Sequence, residues 1–415
     1  MDDEVHFGRP LYWPTMPEGV IYLDNAATSW PKPPQVAAAM CDFLLHKAGN
    51  PGRGGHTLAR AASETIEQAR RRLSRLVNAD DEHRMVLTHG CTDAVNTAIH
   101  GIFRGSMCHT CVGRPHVVAS AVEHNAVLRT LHSYEELGML DLTIVSCGQD
   151  GLIDAEGFLA ACTDRTLLAC LSHASNVLGT IEPVEVIGPR LRERSPRALF
   201  LVDAAQTAGH VKVDVQAWCI DLLALAGHKG LLGPTGTGAL YVGRRAFPDD
   251  LSLPHLFCER RGGTGAIAPG LEMPGTLPDA LEAGTMNAVG FAGLIGALDA
   301  LPTLDHQRER RHTARIVNAL LSIDGVHLYG LTNCHRRTSS IAFNVGDLHA
   351  RAVAGALDEH YGIAVRGGVH CAPLLHQIIG TGERGAVRVS PGPSNTEAEI
   401  ETFLEAVDAI AARGL

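Results

Sequence analysis

The sequence predicts an α/β protein with a mostly parallel central sheet and a smaller α+β C-terminal lobe. Three observations predict it. Between residues 84 and 243, short apolar runs alternate with longer amphipathic ones. The short runs are apolar throughout, as strands covered on both faces must be. After about residue 300 the pattern changes to long helices with short strands between them. Strand–helix alternation implies right-handed βαβ units and hence a parallel sheet. A chain of 415 residues is also too long for one simple core. We therefore divide it into an N-terminal arm, 1–20, a large domain, 21–295, and a small domain, 296–415.

Taken in order, "RMVLTHG" reads as a strand and turn and "CTDAVNTAIHGIF" as a helix. "HVVASAVEH" is a strand, "NAVLRTLHSYEELG" a helix and "DLTIVSC" a strand. "GFLAACTD", "TLLACLSHAS", "VEVIGPRLRERS", "ALFLVDAAQ", "DLLALAGHKG" and "GTGALYVG" continue the pattern. Residues 258–280 are rich in Gly and Pro and read as a mobile excursion. The C-terminal part gives a long helix over "LDHQRERRHTARIVNALLSI", then strands at "GVHLYG" and "SSIAFNV". A helix at "LHARAVAGALDEHYG" follows, then a glycine-rich loop, "VRGGVHCAPLL", and a last helix at "TEAEIETFLEAVDAIAARG". Asn395 or Thr396 would cap that helix ahead of its acidic first turn.

Composition narrows the function. Hydrophobic residues make up 45% and charged residues 19%, ordinary for a folded domain. A net charge of −10 offers no basic field for nucleic acid or an anionic membrane. "RRRLSR", at 70–75, reads as one helix face. The acidic N-terminus has no apolar core of a secretory signal, and no run of about 18 apolar residues suggests a membrane span. Eleven scattered cysteines do not form a disulfide framework, so a reducing cytoplasm is expected.

In an open α/β sheet, ligands bind beyond the carboxyl ends of the strands. The residues found there are Gly90-Cys91-Thr92, Glu123-His124-Asn125, Ser175-Asn176, Asp203 to Gln206, and Gly227-His228-Lys229. A lysine just after an apolar strand is partly desolvated, which lowers its pKa and suits Schiff-base chemistry with an aldehyde. Lys229 read alone is equally a lysine escaping to solvent past a strand end. Asp203 ends a buried strand and needs a cationic or hydrogen-bonding partner, which a protonated pyridine nitrogen would supply. It also reads as a helix cap. His124 is either a ring that stacks on a planar ligand or a core histidine. The Gly90-Cys91-Thr92 turn opens a helix and so suits a phosphate, as any such turn does.

Together these turns are far more specific. "YLDNAAT", "GNPGRGGHTLA", "THGCTDAVN", "VEHNAV", "SHASNVLGT", "VDAAQTAGH", "AGHKGLLGPTGTGALYV", "EAGTMN", "AVRGGVHCAP" and "RVSPGPSNTEAEI" run in one order from about residue 21 to 400. In this the chain resembles the class V aminotransferase-like, fold-type I pyridoxal 5′-phosphate enzymes, and more closely the cysteine desulfurases of the Suf/Csd kind. The resemblance implies that Lys229 carries the cofactor and shuttles the proton, while Asp203 pairs with the pyridine nitrogen. It implies that Gln206 reaches the phenolic oxygen, His124 stacks on the ring, and Thr92, the Cys91 backbone and His228 hold the phosphate. Thr285 would reach the phosphate of a neighbouring subunit, so a homodimer is implied. Asn176 and Arg388 would hold the substrate carboxylate, with Arg366 and His56 at the same mouth. Ala226 and Cys91 depart from the hydroxyl residues common at their positions, and "RGGVHCAP" departs from the "GHHCA" form.

By the same resemblance Cys371 takes sulfur from L-cysteine, leaving L-alanine and a persulfide for an acceptor protein. Gly367 and Gly368 would let the loop move, and Arg366 and His370 would favour the thiolate. A selenocysteine lyase or another class V lyase would use the same fold, and a non-enzymatic scaffold is a third reading. "CHTC", Cys108 to Cys111, would be a redox pair or half a zinc site, with no second CxxC to complete it.

Overall fold

The computed structural model describes residues 19–52, 54–108, 114–249, 256–265 and 270–414. Its first half contains β1 (Ile21–Tyr22), α1 (Pro34–His46), α2 (Thr57–Leu76), β2 (Met85–Thr88), α3 (Cys91–Cys108), β3 (His116–Ser120), α4 (Asn125–Glu136), β4 (Asp141–Val145) and α5 (Ala155–Ala161). Next come β5 (Thr166–Ser172), α6 (Val184–Arg194), β6 (Leu199–Asp203), β7 (Leu222–Ala226), β8 (Gly238–Val242) and α7 (Ala288–Ala300). The remainder is α8 (His306–Leu320), β9 (Val326–Tyr329), β10 (Ile341–Val345), α9 (Ala350–Tyr361), β11 (Ile363–Ala364), β12 (Arg366–Gly368), α10 (Pro373–Ile378), β13 (Ala386–Val389) and α11 (Glu397–Arg413).

Seven strands form one sheet in the order β2-β8-β7-β6-β5-β3-β4. All pairs are parallel except those of β8, which runs antiparallel to β7 and β2. The carboxyl ends of β2, β3, β5, β6 and β7 therefore share one edge. Alternate residues serve two faces. Leu87, Val118, Phe200, Val202, Leu223 and Leu225 pack toward α2, α6 and α7. Val86, Val117, Leu199, Leu201, Leu222 and Ala224 pack toward α3 and α4. Every residue of β2, β3, β6, β7 and β8 is buried, whereas edge strand β4 has none buried. That is the doubly covered sheet expected from runs apolar throughout.

The smaller sheet is antiparallel, β12-β13-β10-β9, and α8, α9 and α11 supply its core with Ile316, Val353 and Phe403. Thr396 caps α11, and Glu399 completes a capping box. The α/β class and the mostly parallel sheet are as the sequence indicates. One segment behaves differently from its place in the chain: β1 pairs with β11, Asp24 bridges Ser390, and Leu23 lies in the core of the smaller sheet. From Ile21 to Asp24 the chain thus runs on the C-terminal lobe before crossing to the large sheet. No single helix among the described residues is long and apolar enough to cross a membrane. Cys111 of "CHTC" lies outside the described residues.

Candidate active site

A cavity of about 750 Å³ opens at the carboxyl edge of the large sheet, with the small sheet as its other wall. It brings together Cys91, Thr92, His124, Asn176, Asp203, Gln206, His228, Lys229, Arg366, Cys371 and Arg388, eleven residues scattered over 298 positions of sequence. His56 and Thr285 do not line it. His56 is exposed and caps α2, accepting from Ala59 N–H at 3.3 Å; Thr285 is exposed just before α7.

Lys229 follows β7 in a turn that must pass close to its neighbours. A Cβ on Gly230 would lie 2.4 Å from the Ala208 carbonyl oxygen, so only glycine admits the approach. The Lys229 amine donates no hydrogen bond to any described residue, and burial lowers its pKa, offset in part by Asp203. It is a base and nucleophile waiting for a partner. Asp203, the last residue of β6, is 8% exposed. Its Oδ1 accepts from Ala205 N–H at 2.8 Å and from the Cys91 thiol at 3.2 Å; its Oδ2 accepts from no described residue. Burial and then Asp203 push the Cys91 thiol well up, so Cys91 is a protonated donor.

His124 caps α4, its Nδ1 accepting from Ala126 N–H at 3.0 Å, and burial lowers its pKa. A neutral ring held at the cavity wall suits stacking. Gln206 Nε2 donates to the Ala26 carbonyl at 3.1 Å. Burial holds His228 at about 4, and its Nδ1 is buried without a partner. Below His124, Glu123 is fully buried, accepting from Ser120, Ser172 N–H and Ser172 Oγ, and burial raises it to about 7.

Pyridoxal 5′-phosphate fits these residues. The free Lys229 amine faces the same space as the free Asp203 oxygen, and the start of α3 and the orphaned His228 Nδ1 supply donors for an anion. Arg388 is 1% exposed on β13. Its guanidinium donates to Asp24 Oδ1 at 2.6 Å and to the Asn176 carbonyl at 2.9 Å. Asp24 is the acid such a buried cation requires. Sequence reading quoted "YLDNAAT" without assigning Asp24; a buried arginine on a strand is the signal that an acid partner exists elsewhere.

The Cys371 segment differs from its expectation in two ways. Residues 366–368 are not a free loop but strand β12, hydrogen-bonded to β13, and α10 begins at Pro373. Gly367 serves contact rather than motion: a Cβ there would lie 2.4 Å from the Ala350 carbonyl oxygen of α9. The irregular part shrinks to the turn at His370 and Cys371, with φ of 50° and 62°, a left-handed pair unusual for these residues. Asn176 Nδ2 donates to the His370 carbonyl, and Asn125 N–H to the Cys371 carbonyl at 2.8 Å. His370 does not face the sulfur as a cation. Its Nε2 meets the Ala386 carbonyl at 2.8 Å, and burial, then Arg388, hold its pKa well below the usual value. Arg366 is the cation beside Cys371, at 3.9 Å from Sγ.

Comparison with known proteins agrees with this geometry. The family model described as aminotransferase class-V matches residues 21–403. A protein of Methanothermobacter thermautotrophicus described as "Probable cysteine desulfurase" is 32% identical over 95% of both chains. A Salmonella agona protein described as "Cysteine desulfurase" is 33% identical over 92% of this chain and 91% of its own. The apo structure of a cysteine desulfurase from Thermococcus onnurineus NA1 superposes with a TM-score of 0.85 at 30% identity, covering 95% of each chain. The architecture is that of the fold-type I pyridoxal 5′-phosphate enzymes, and the chain belongs to the class V aminotransferase family.

Proposed function

We propose that this chain is a pyridoxal 5′-phosphate-dependent L-cysteine desulfurase of the Suf/Csd kind, giving L-alanine and a persulfide on Cys371. One observation carries the reading: the unpartnered Lys229 amine, from the large sheet, and Cys371, from the small one, open onto a single cavity. When bound, the cofactor supplies an electron sink for the electrons left at the substrate α-carbon. Lys229 would hold it and carry the α-proton on Nζ. Asp203 would pair with the ring nitrogen, Gln206 would serve the phenolic oxygen, and His124 would stack on the ring. Thr92, the Cys91 backbone and His228 would hold the phosphate, while Arg388 and Asn176 would receive the substrate carboxylate.

Cys371 Sγ attacks the substrate sulfur. An S–S bond forms as the substrate Cβ–S bond breaks; the carbon is reduced to the alanine methyl and the transferred sulfur is oxidised to sulfane. The proton released by Cys371 balances the hydrogen gained by the methyl, and the substrate thiol hydrogen stays with the persulfide. Arg366 faces the charge that develops on Cys371. Residues 21–295, apart from β1 to Asp24 on the C-terminal lobe, would form the cofactor-binding unit, and 296–415 the unit carrying Cys371. A homodimer, with Thr285 serving the partner's phosphate site, is supported by the exposure of Thr285 and of Leu44, Leu45 and Leu58. Nine cysteines among the described residues are unpaired, and a reducing cytoplasm would keep them so. An acceptor protein then removes the sulfur.

A single turnover with L-cysteine, followed by mass spectrometry of the Cys371 peptide, tests the reading. One added sulfur is expected, and none in Cys371→Ser. Sulfur delivered to an acceptor by Cys371→Ser at the wild-type rate would sink it.

A further inference from the structure

The carbonyl oxygen of His228, one residue before Lys229, receives four donors. Ser29 N–H reaches it at 3.0 Å, Thr28 Oγ1 at 3.1 Å, Ser29 Oγ at 3.2 Å and Lys32 Nζ at 3.0 Å. A carbonyl oxygen has two lone pairs, so this one is fully subscribed. All four donors come from one segment, residues 24–32, which also holds other site residues. Arg388 pairs with its Asp24, Gln206 donates to its Ala26, and Ala26 N–H donates to Ser390 Oγ at 2.9 Å. The segment is a strap across the back of the cavity.

Lys32 anchors its far end. Its ammonium donates to Ser29 Oγ at 2.7 Å as well as to the His228 carbonyl, and it pairs with no carboxylate among the described residues. A half-buried ammonium is costly without a counter-ion. Burial lowers it to about 8. Two neutral oxygens are what it has, and one belongs to the peptide that carries Lys229. Lys32 does not line the cavity, so its action is through that peptide.

We propose that Lys32 is a positioning residue: by clamping the His228 carbonyl it fixes the backbone from which Lys229 reaches the cofactor and the substrate α-proton. The inference rests on the function proposed above. A misplacement of about 1 Å at a reacting group costs on the order of 100-fold, so loss of the clamp should fall on the chemical step and not on substrate binding.

The experiment compares wild type with Lys32→Met, Lys32→Arg and Ser29→Ala in the full chain. Each is stripped of cofactor and remixed with pyridoxal 5′-phosphate while the visible absorbance of the lysine–cofactor linkage is followed; cysteine turnover is measured separately. We expect Lys32→Met to form the linkage and turn over cysteine at least about 10-fold more slowly, with KM within about threefold of wild type. Lys32→Arg should recover most of the loss, and Ser29→Ala should show a smaller one. Should Lys32→Met fail to fold, Ser29→Ala decides, since a removed hydroxyl leaves the chain otherwise intact. Linkage formation and kcat at wild-type values in both would overturn the inference. So would a loss in Lys32→Met that Lys32→Arg does not reverse. If wild type forms the linkage but does not desulfurate cysteine, the proposed reaction fails while the linkage rates still judge Lys32. If wild type forms no linkage, both fail.

Discussion

The two walls of the cavity are built on different terms. The wall from the large sheet is a row of strand ends. Asp203, Lys229 and His124 each take their position from a buried strand or a helix cap beside it, and their polar atoms are left partly free. The wall from the small sheet is a short strand, a strained turn and a short helix, and its guanidinium and turn carbonyls are already engaged. Arg388 is occupied by Asp24 and Asn176, the His370 carbonyl by Asn176, and the Cys371 carbonyl by Asn125, all groups of the opposite wall or of the segment before it. The first wall is prepared to receive a molecule. The second must exchange partners when one arrives.

Removing Lys229 tests the first wall most severely. Lys229→Ala should lower cysteine turnover by roughly 10²–10⁴-fold, the range for a lost general base, and abolish the visible absorbance of the linkage. Folding should be retained, because Lys229 makes no hydrogen bond that the fold would miss. Measured kcat, absorbance and thermal melting check all three. A variant that keeps half of its turnover would show that the two walls do not divide their roles as described.

The first wall was legible in the sequence because strand ends follow from hydrophobic runs. Five apolar runs place Cys91, His124, Asn176, Asp203 and Lys229 on one edge, and the cavity contains all five. The second wall was not. "RGG" read as a flexible loop because three small or polar residues give no period-2 pattern. Its strand pairing with β13 and its packing under α9 come from residues distant in sequence, at 386–388 and 350. His370 likewise read as a cation beside the sulfur, but a ring's direction is set by tertiary contact. Lys32 and Asp24 sat in view, in "KPP" and "YLDN", with no local mark of their partners at 228 and 388. Gly367→Ala separates the two readings of the glycines. A mobile hinge would tolerate the methyl. Against the α9 backbone it should cost about 1–3 kcal/mol of stability by denaturant unfolding, with β12 displaced and sulfur transfer slowed.

The smallest expected effect concerns acid. The second wall buries two neutral histidines, His370 and His376, with ring centroids 5.6 Å apart. His376 Nδ1 meets Thr381 Oγ1 at 2.7 Å, and burial lowers its pKa to about 4. Burial, then Arg388, also holds His370 well below its ordinary value. A histidine whose folded pKa lies below its unfolded value of about 6.5 leaves the unfolded chain holding more protons. Its contribution is therefore complete above pH 6.5 and is lost as pH falls toward 4. His376→Gln cannot acquire that charge, and its amide can keep the bond to Thr381. The variant should be somewhat less stable than wild type at pH 7.5, yet lose about 1–3 kcal/mol less between pH 7 and pH 4.5. His228 of the first wall, also held at about 4, charges over the same range as His376, so in wild type persulfide formation and the Lys229 linkage should weaken together in acid. Unfolding curves at several pH values read the first difference. Persulfide yield set against linkage absorbance reads the second, and loss of one well before the other in wild type would show that the two walls do not charge together.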